Sequence, residues 1–167
     1  MILLFYHMVR TEKEKEGLMY ASLLSSHVNV ELQKYTGVVE SAALSQNVVS
    51  LDYTVAEPYL LSLMALNQDG AWSHFVIANQ YGTEQANTEG EGVRGDSLAR
   101  KACFQDCWDQ EQTIVSSPYI NKSTGHYVIS ISTPIYRESK KVGVLIGFLN
   151  LEYISSVLNE YPYSANS

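Results

Sequence analysis

Apolar and small residues recur every three or four positions across the first third of the chain. Between Glu12 and Gln46 there is no proline to interrupt this pattern. The spacing places these residues on one face of a long helix, which we predict over residues 11–50. The stripe contains Leu18, Ala21, Ser25, Val28, Leu32, Tyr35, Val39 and Ala42. Three roles are open for it: packing on a sheet of the same domain, forming a homodimer contact with part of its length, or carrying motion toward the membrane.

The rest of the chain has the patterns of a shorter helix followed mainly by strands. In residues 126–136 apolar and polar side chains alternate, which predicts a strand with one apolar and one more polar face. Pro58 fits the first turn of the shorter helix. The expected elements are helices at 57–67 and 151–160, strands at 72–78, 126–136 and 142–150, and a short strand with a pocket-covering loop at 83–96. This order predicts an α+β domain with a central antiparallel sheet.

Composition and charge narrow the range of partners. The chain has 167 residues, 46% of them hydrophobic, which is enough for one domain with its own core. It carries 11 Lys and Arg against 18 Asp and Glu, a net charge of -7, so we expect no nucleic-acid partner. Cys103 and Cys107 lie four apart and are expected to be buried thiols, neither a zinc site nor a disulfide.

The first ten residues, MILLFYHMVR, are apolar up to Arg10 and precede the charged segment TEKEKE. About 20 apolar residues are needed to cross a bilayer, so this segment is too short to do so alone. It also lacks the basic flank and cleavage site of a signal peptide. We interpret residues 1–10 as the end of a truncated transmembrane helix, which would tether the domain to a membrane.

A series of motifs between Asp96 and Leu151 resembles a known family. The series runs DSLARKACF, IVSSPYINKSTGHYVISISTPIY and KVGVLIGFLNLEYI. Its order is a basic helix start, a strand ending in Ser-Pro-Tyr, a turn, an alternating strand closed by Thr-Pro-Ile, and a Gly-Val-x-x-Gly strand. This order resembles the Cache family of PAS-like sensor domains. The resemblance implies a sensor module at 51–160 with a connector at 161–167.

The same resemblance implies where a ligand would bind. In the family, the helix after the second strand opens with an arginine, a variable residue and two aromatic residues that line the pocket. Here Lys101, Cys103 and Phe104 occupy these positions. Arg100 supplies the arginine only if the frame is shifted by one residue. Lysine keeps the positive charge of arginine but lacks the planar fork that matches a carboxylate.

Family members that bind amino acids carry a tyrosine before that arginine, a tyrosine in the next strand region, and an aspartate in the Gly-Val-x-x-Gly strand. The corresponding residues here are Asp96, Tyr119 and Phe148, so only Tyr119 matches. An ammonium group buried without a partner anion costs several kcal/mol. We therefore expect an organic acid or a neutral polar or aromatic compound in preference to a free amino acid.

By this resemblance, the chain is expected to be the extracytoplasmic input domain of a bacterial chemoreceptor, histidine kinase or diguanylate cyclase. The alternative is a structural or dimerisation module without a functional pocket. An enzyme is a distant third, because the four histidines lack metal-ligand spacing and neither a phosphate-binding loop nor a nucleophile elbow is present. We accordingly expect no metal and no cofactor.

Overall fold

The computed structural model describes residues 18–66, 70–90, 94–122, 124–153 and 156, without the side chains of 18–28. The predicted membrane segment at 1–10 and the connector at 161–167 lie outside these residues. The helices are α1 (Leu18–Ala43), α2 (Gln46–Val49), α3 (Tyr53–Leu66) and α4 (Ala102–Gln110), and the strands are β1 (Trp72–Asn79), β2 (Glu84–Asn87), β3 (Ile114–Val115), β4 (Tyr119–Ile120), β5 (Tyr127–Arg137) and β6 (Lys140–Asn150). Residues 151–153 and 156 are helical and lie within the predicted closing helix. Within the described ranges, no helix has the length and apolarity to cross a membrane.

All six strands belong to one antiparallel sheet. Its order is β2-β1-β6-β5-β3, and β4 also pairs with β5. The long strands β5 and β6 are joined by a turn in which Glu138 and Ser139 have φ of 50° and 64°. Two successive positive φ values give the turn a twist that matches the twist of the strands. The helices and the antiparallel sheet confirm the predicted α+β, PAS-like fold class.

The sheet separates two apolar clusters. One lies between the sheet and α1, α2 and α3, and receives Phe75 and Ile77 from β1 and Leu145 from β6. The other lies on the opposite face, where Val76 and Ile146 pack with residues of α4. Neighbouring residues of a strand point to opposite faces, so β1 and β6 contribute to both clusters.

The stripe of α1 packs on the sheet where its side chains are described. Leu32, Tyr35, Val39 and Ala42 are all buried in the first cluster. This half of the stripe is therefore unavailable for the homodimer contact, while the side chains of Leu18, Ala21, Ser25 and Val28 lie outside the described set. The predicted single helix at 11–50 is also divided, because α1 ends at Ala43 and Ser45 caps α2 by accepting a hydrogen bond from the Asn47 N–H.

The start of α3 differs from the prediction. An Asp52 carboxylate oxygen accepts hydrogen bonds from the N–H and the hydroxyl of Thr54, at 2.9 Å and 2.8 Å. Asp52 thus caps a helix that begins at Tyr53, five residues ahead of Pro58, so Pro58 lies inside the helix instead of in its first turn. A capping aspartate satisfies the free N–H groups of the first turn, so the helix can begin without help from the proline.

Gly147 is required by close packing between β6 and the aromatic side chains of the first cluster. A Cβ atom at this position would lie 2.6 Å from Cζ3 of Trp72 and 2.9 Å from Cε1 of Phe75. Both rings are buried, and their centroids are 4.6 Å apart. The second glycine of the Gly-Val-x-x-Gly motif is therefore explained by the volume of its neighbours.

We predict that Gly147→Ala lowers the free energy of unfolding by about 1–3 kcal/mol, because the added methyl group overpacks the core. Gly37→Ala is the matched control, since Gly37 lies inside α1 and a Cβ there meets nothing within 4 Å. It should raise stability by roughly 0.5–1 kcal/mol through the better helix propensity of alanine. Urea denaturation of both variants measures the difference, and equal effects would contradict the packing argument.

Candidate ligand-binding pocket

A cavity of about 650 Å³ opens on the sheet face opposite α1, α2 and α3. This volume lies in the range that small-molecule sites occupy. The floor is provided by β1 and β6, one wall by β2 and the chain that follows it, and the other wall by the start of α4 and by β4. The lining residues are His74, Val76, Glu84, Asn87, Glu89, Asp96, Ser97, Leu98, Lys101, Cys103, Tyr119, Ile120, Asn121, Lys122 and Phe148.

An aromatic pair forms much of the floor. The rings of His74 on β1 and Phe148 on β6 stack with centroids 4.2 Å apart and planes at 11°. Both residues are buried, and the register of the sheet pairs them directly. Burial lowers the pKa of His74, while the nearby carboxylate of Glu89 acts in the opposite direction. The floor is therefore aromatic and, near neutral pH, carries no charge of its own.

The wall on the β2 side is acidic, and we call Glu84, Asn87, Glu89 and Asp96 the acidic wall. Glu84 and Asn87 both line the cavity although they are three residues apart, whereas a regular strand would point them to opposite faces. The register between β1 and β2 skips Gln85, which is the extra residue of a β-bulge. The bulge changes the alternation and so brings both side chains to the pocket.

Asp96 reaches the acidic wall through backbone pairing with β2. Its carbonyl oxygen accepts a hydrogen bond from the Glu84 N–H at 2.9 Å, and Gly95 N–H donates to the Glu84 carbonyl at 3.0 Å. Ser97 forms a bridge to Thr83 next to them. Asp96 and Ser97 are thus extended, and the cap position of α4 belongs to Lys101, which makes no side-chain capping bond.

The carboxyl group of Glu84 is the most strongly enclosed charge of the acidic wall. Glu84 is 8% exposed, and its Oε2 accepts a hydrogen bond from Nδ2 of Asn87 at 3.0 Å. Burial raises the pKa of Glu84, and the charges of Asp96 and Glu89 raise it further, while the hydrogen bond from Asn87 and the charge of Lys101 act in the opposite direction. Burial and the charges of Asp96 and Glu89 therefore disfavour the ionised form of Glu84.

The opposite wall carries the positive charges. Lys101 stands at the start of α4 and Lys122 follows β4, with Tyr119 and Asn121 between them along the lining. Burial of the hydroxyl raises the pKa of Tyr119 to about 12, so this group remains a hydrogen-bond donor at neutral pH. Burial likewise raises the pKa of Cys103, which keeps its thiol protonated. We call Lys101, Tyr119, Asn121 and Lys122 the basic wall.

The structure brings five of the seven residues that the sequence singles out to this cavity: Asp96, Lys101, Cys103, Tyr119 and Phe148. The other two lie elsewhere. Arg100 has an exposed side chain and is absent from the lining. Phe104 is buried in the second apolar cluster, where it stacks on Trp108 with centroids 5.8 Å apart. The helical turn between Lys101 and Phe104 directs Phe104 toward the sheet below the pocket.

Sequence reasoning did not single out Glu84, Asn87 and Glu89 as site residues. They lie in a polar segment that the pattern predicted only as a short strand and a covering loop. The alternation of β1 does carry a signal for His74, because it shares a face with Val76 and Ala78. Among the described residues, no group of three or more His, Cys, Asp or Glu could hold a metal ion.

The model of one protein family matches residues 56–156. This family is described as methyl-accepting chemotaxis protein-like, first PDC sensor domain. The matched range contains the whole sheet, α4 and every residue that lines the cavity. The match confirms the resemblance to sensor domains that residues 96–151 indicated.

Several solved structures are similar to this chain. The ligand-binding domain of the Pseudomonas aeruginosa PAO1 amino acid chemoreceptor PctC in complex with GABA is 20% identical, with TM-score 0.66, covering 84% of this chain and 62% of that chain. The sensor domain of the Vibrio cholerae histidine kinase DctB is 16% identical, with TM-score 0.70, covering 89% and 58%. The ligand-binding domain of the Campylobacter jejuni chemoreceptor Tlp3 in complex with L-valine is 15% identical, with TM-score 0.70, covering 94% and 67%.

These likenesses concern the fold, and this chain spans about three fifths of the length of the first two structures. They nevertheless overturn one expectation. Domains of this fold are solved with GABA and with L-valine, so the preference for an organic acid or a neutral compound over a free amino acid was wrong. The physical reason lies in the pocket, because the single carboxylate missing at Phe148 is replaced by carboxylates on the acidic wall.

We predict that Glu84→Gln stabilises the protein without ligand near neutral pH. Because the pKa of Glu84 is raised above its ordinary value of 4.5, this group favours folding when protonated, and that contribution is lost as the pH rises above 4.5. The variant should melt at a higher temperature than the natural protein at about pH 7, and the difference should disappear at about pH 4.

Glu40→Gln is the control, since Glu40 is an exposed acid on α1, away from the pocket. It removes the same charge without relieving burial, so its melting temperature should stay close to that of the natural protein at both pH values. A lower melting temperature for Glu84→Gln at neutral pH would mean that the ionised carboxylate is stabilised in the folded state.

Proposed function

The chain belongs to the family of methyl-accepting chemotaxis protein-like first PDC sensor domains, and on this premise we propose that it binds a free amino acid as the input domain of a bacterial transmembrane receptor. The domain lies on the extracytoplasmic side of the membrane. It acts by binding and not by catalysis, and the response is generated by other parts of the receptor.

The observation that carries this proposal is the opposite charge of the two pocket walls. Glu84, Glu89 and Asp96 offer anions to an ammonium group, and Lys101 and Lys122 offer cations to a carboxylate. A free amino acid carries both groups in one small molecule. Charge-assisted hydrogen bonds of this kind are the strong ones, and they gain strength in a partly enclosed site.

We assign the carboxylate of the ligand to Lys101. No salt bridge joins Lys101 to another residue in the described part of the chain, and the hydroxyl of Tyr119 on the same wall can donate a second hydrogen bond. The ammonium group is assigned to the acidic wall, above all to Glu84. Phe148, Val76 and Leu98 then provide apolar surface for the rest of the ligand.

Binding of the ligand should relieve the repulsion within the acidic wall. An ammonium group beside Glu84 adds a positive charge next to its carboxyl group, so it stabilises the ionised form of Glu84. Filling the site therefore changes the electrostatic balance around Glu84. This gives a physical basis for a difference between the empty and the occupied domain, which a receptor requires.

We expect L-amino acids or γ-aminobutyrate to raise the melting temperature of the domain, because a ligand that binds only the folded state stabilises it. A thermal-shift screen with each common L-amino acid and with γ-aminobutyrate identifies the ligand, and calorimetry measures its affinity. For each hit, the matching α-hydroxy acid and the matching amine should bind much more weakly. If no amino acid binds, the proposed ligand class is wrong.

In calorimetry with a screen hit, we expect Lys101→Ala to weaken binding roughly 10- to 100-fold, the effect of losing one charge-assisted hydrogen bond. Arg100→Ala is the matched control, because it removes a neighbouring positive charge that does not line the pocket. Its affinity should stay within about twofold of the natural protein. Equal losses in both variants would point to a general field effect and would overturn the assignment of Lys101.

A further inference from the structure

A carboxylate outside the pocket, that of Glu57, contacts the backbone of the acidic wall. Glu57 lies on α3 and is not part of the lining. Its Oε1 accepts a hydrogen bond from the Asn87 N–H at 3.0 Å and lies 3.2 Å from Nε of Arg94. The side chains of Glu57 and Arg94 are 16% and 18% exposed. This hydrogen bond therefore connects α3 to Asn87, the last residue of the edge strand β2.

Arg94 is held in place from a second side. Its guanidinium carbon lies 3.8 Å from the centre of the Tyr53 ring, which is also on α3. Tyr53 and Glu57 are four residues apart and so lie on the same face of the helix. A cation over an aromatic ring and beside a carboxylate is attracted by both. Tyr53 and Glu57 on α3 thus both contact Arg94. The Glu57 carboxylate lies between Arg94 and the Asn87 N–H.

Asn87 transmits this contact to the pocket. It is 3% exposed, its Nδ2 donates to Oε2 of Glu84 at 3.0 Å, and its Oδ1 accepts from the Glu89 N–H at 2.9 Å. One amide side chain therefore contacts the carboxylate of Glu84 and the backbone of Glu89. The position of that side chain depends on its own backbone, which Glu57 anchors.

We propose that Glu57 is a positioning residue for the acidic wall, acting through Asn87 on Glu84 and Glu89. The proposal deepens the proposed function and rests on it for its biological meaning, since the acidic wall is the part assigned to the ammonium group. Without Glu57, the Asn87 N–H loses its acceptor and the partly buried Arg94 loses an anion. The hydrogen bond from Asn87 to Glu84 is then no longer held in place.

Titration of Glu84 tests this proposal without any ligand. The carboxyl carbon of Glu84 can be followed by NMR across a pH series, with Glu84→Gln to assign the signal. In Glu57→Ala the hydrogen bond that lowers the pKa of Glu84 weakens, so we expect its midpoint to rise by about half a pH unit or more. Glu57→Gln keeps an acceptor oxygen for Asn87 and should leave the midpoint below that of Glu57→Ala.

The comparison of the two variants separates positioning from charge, because both remove the same negative charge and only one removes the acceptor. A role of Glu57 in stability alone would lower the melting temperature and leave the Glu84 midpoints of the two variants equal, which would overturn the proposal. If Glu57→Ala does not fold, Asn87→Ala replaces it, since it removes the amide that reaches Glu84. An unchanged midpoint there would also overturn it.

The Glu84 titration needs no ligand, so its outcome is independent of the binding screen. Either the positioning role of Glu57 or the binding of an amino acid can be disproved while the other is retained. An unchanged Glu84 midpoint together with a positive binding screen would remove Glu57 and retain the proposed function. A shifted midpoint with no amino acid bound would retain the positioning role and remove the proposed ligand.

Discussion

The alternation of side chains along β1 and β6 is the constraint on which the rest of the structure depends. Leu145 and Leu149 face α1, α2 and α3 on one side of β6, while Ile146 and Phe148 lie on the opposite side, where α4 packs and the pocket opens. A slip of one residue would exchange these two sets. Gly147 allows the Trp72 ring to pack directly against β6 in the first cluster, because there is room for a hydrogen atom but not for a Cβ at this position. The core and the pocket floor are therefore determined together.

Those parts of the fold that depend on local periodicity were predictable. The alternating strand at 126–136 is β5 at Tyr127–Arg137, and the apolar run at 142–150 is most of β6. The acidic wall was not predictable, because it depends on a bulge at Gln85 and on backbone pairing of Asp96 with Glu84. Neither leaves a periodic signal, since both arise from partners fixed only in the folded chain.

The wrong expectation about the ligand has the same origin. It gave most weight to the aspartate position of related sensors as the source of an anion for an ammonium group, although Asp96 offered a negative charge from another side. Here that position is Phe148, whose ring stacks on His74, and the anions lie on the edge strand β2 and in the chain that follows it. The charge needed by a ligand is a property of the whole cavity, and several elements can supply it. Matching single positions therefore underestimates what a pocket can bind.

Substitutions in the pocket floor and in the acidic wall differ in how much they disturb the sheet. The floor lies on β1 and β6, and β6 pairs on both sides with long strands, so changes there disturb the sheet itself. The acidic wall lies on the short edge strand β2 and in the chain that follows it, and Glu57 accepts a hydrogen bond from the backbone of Asn87 in this wall. Replacing a wall residue alters the charge that a ligand meets while the ladder of the central strands is retained. Ligand preference can thus vary at the edge of the sheet without loss of the fold.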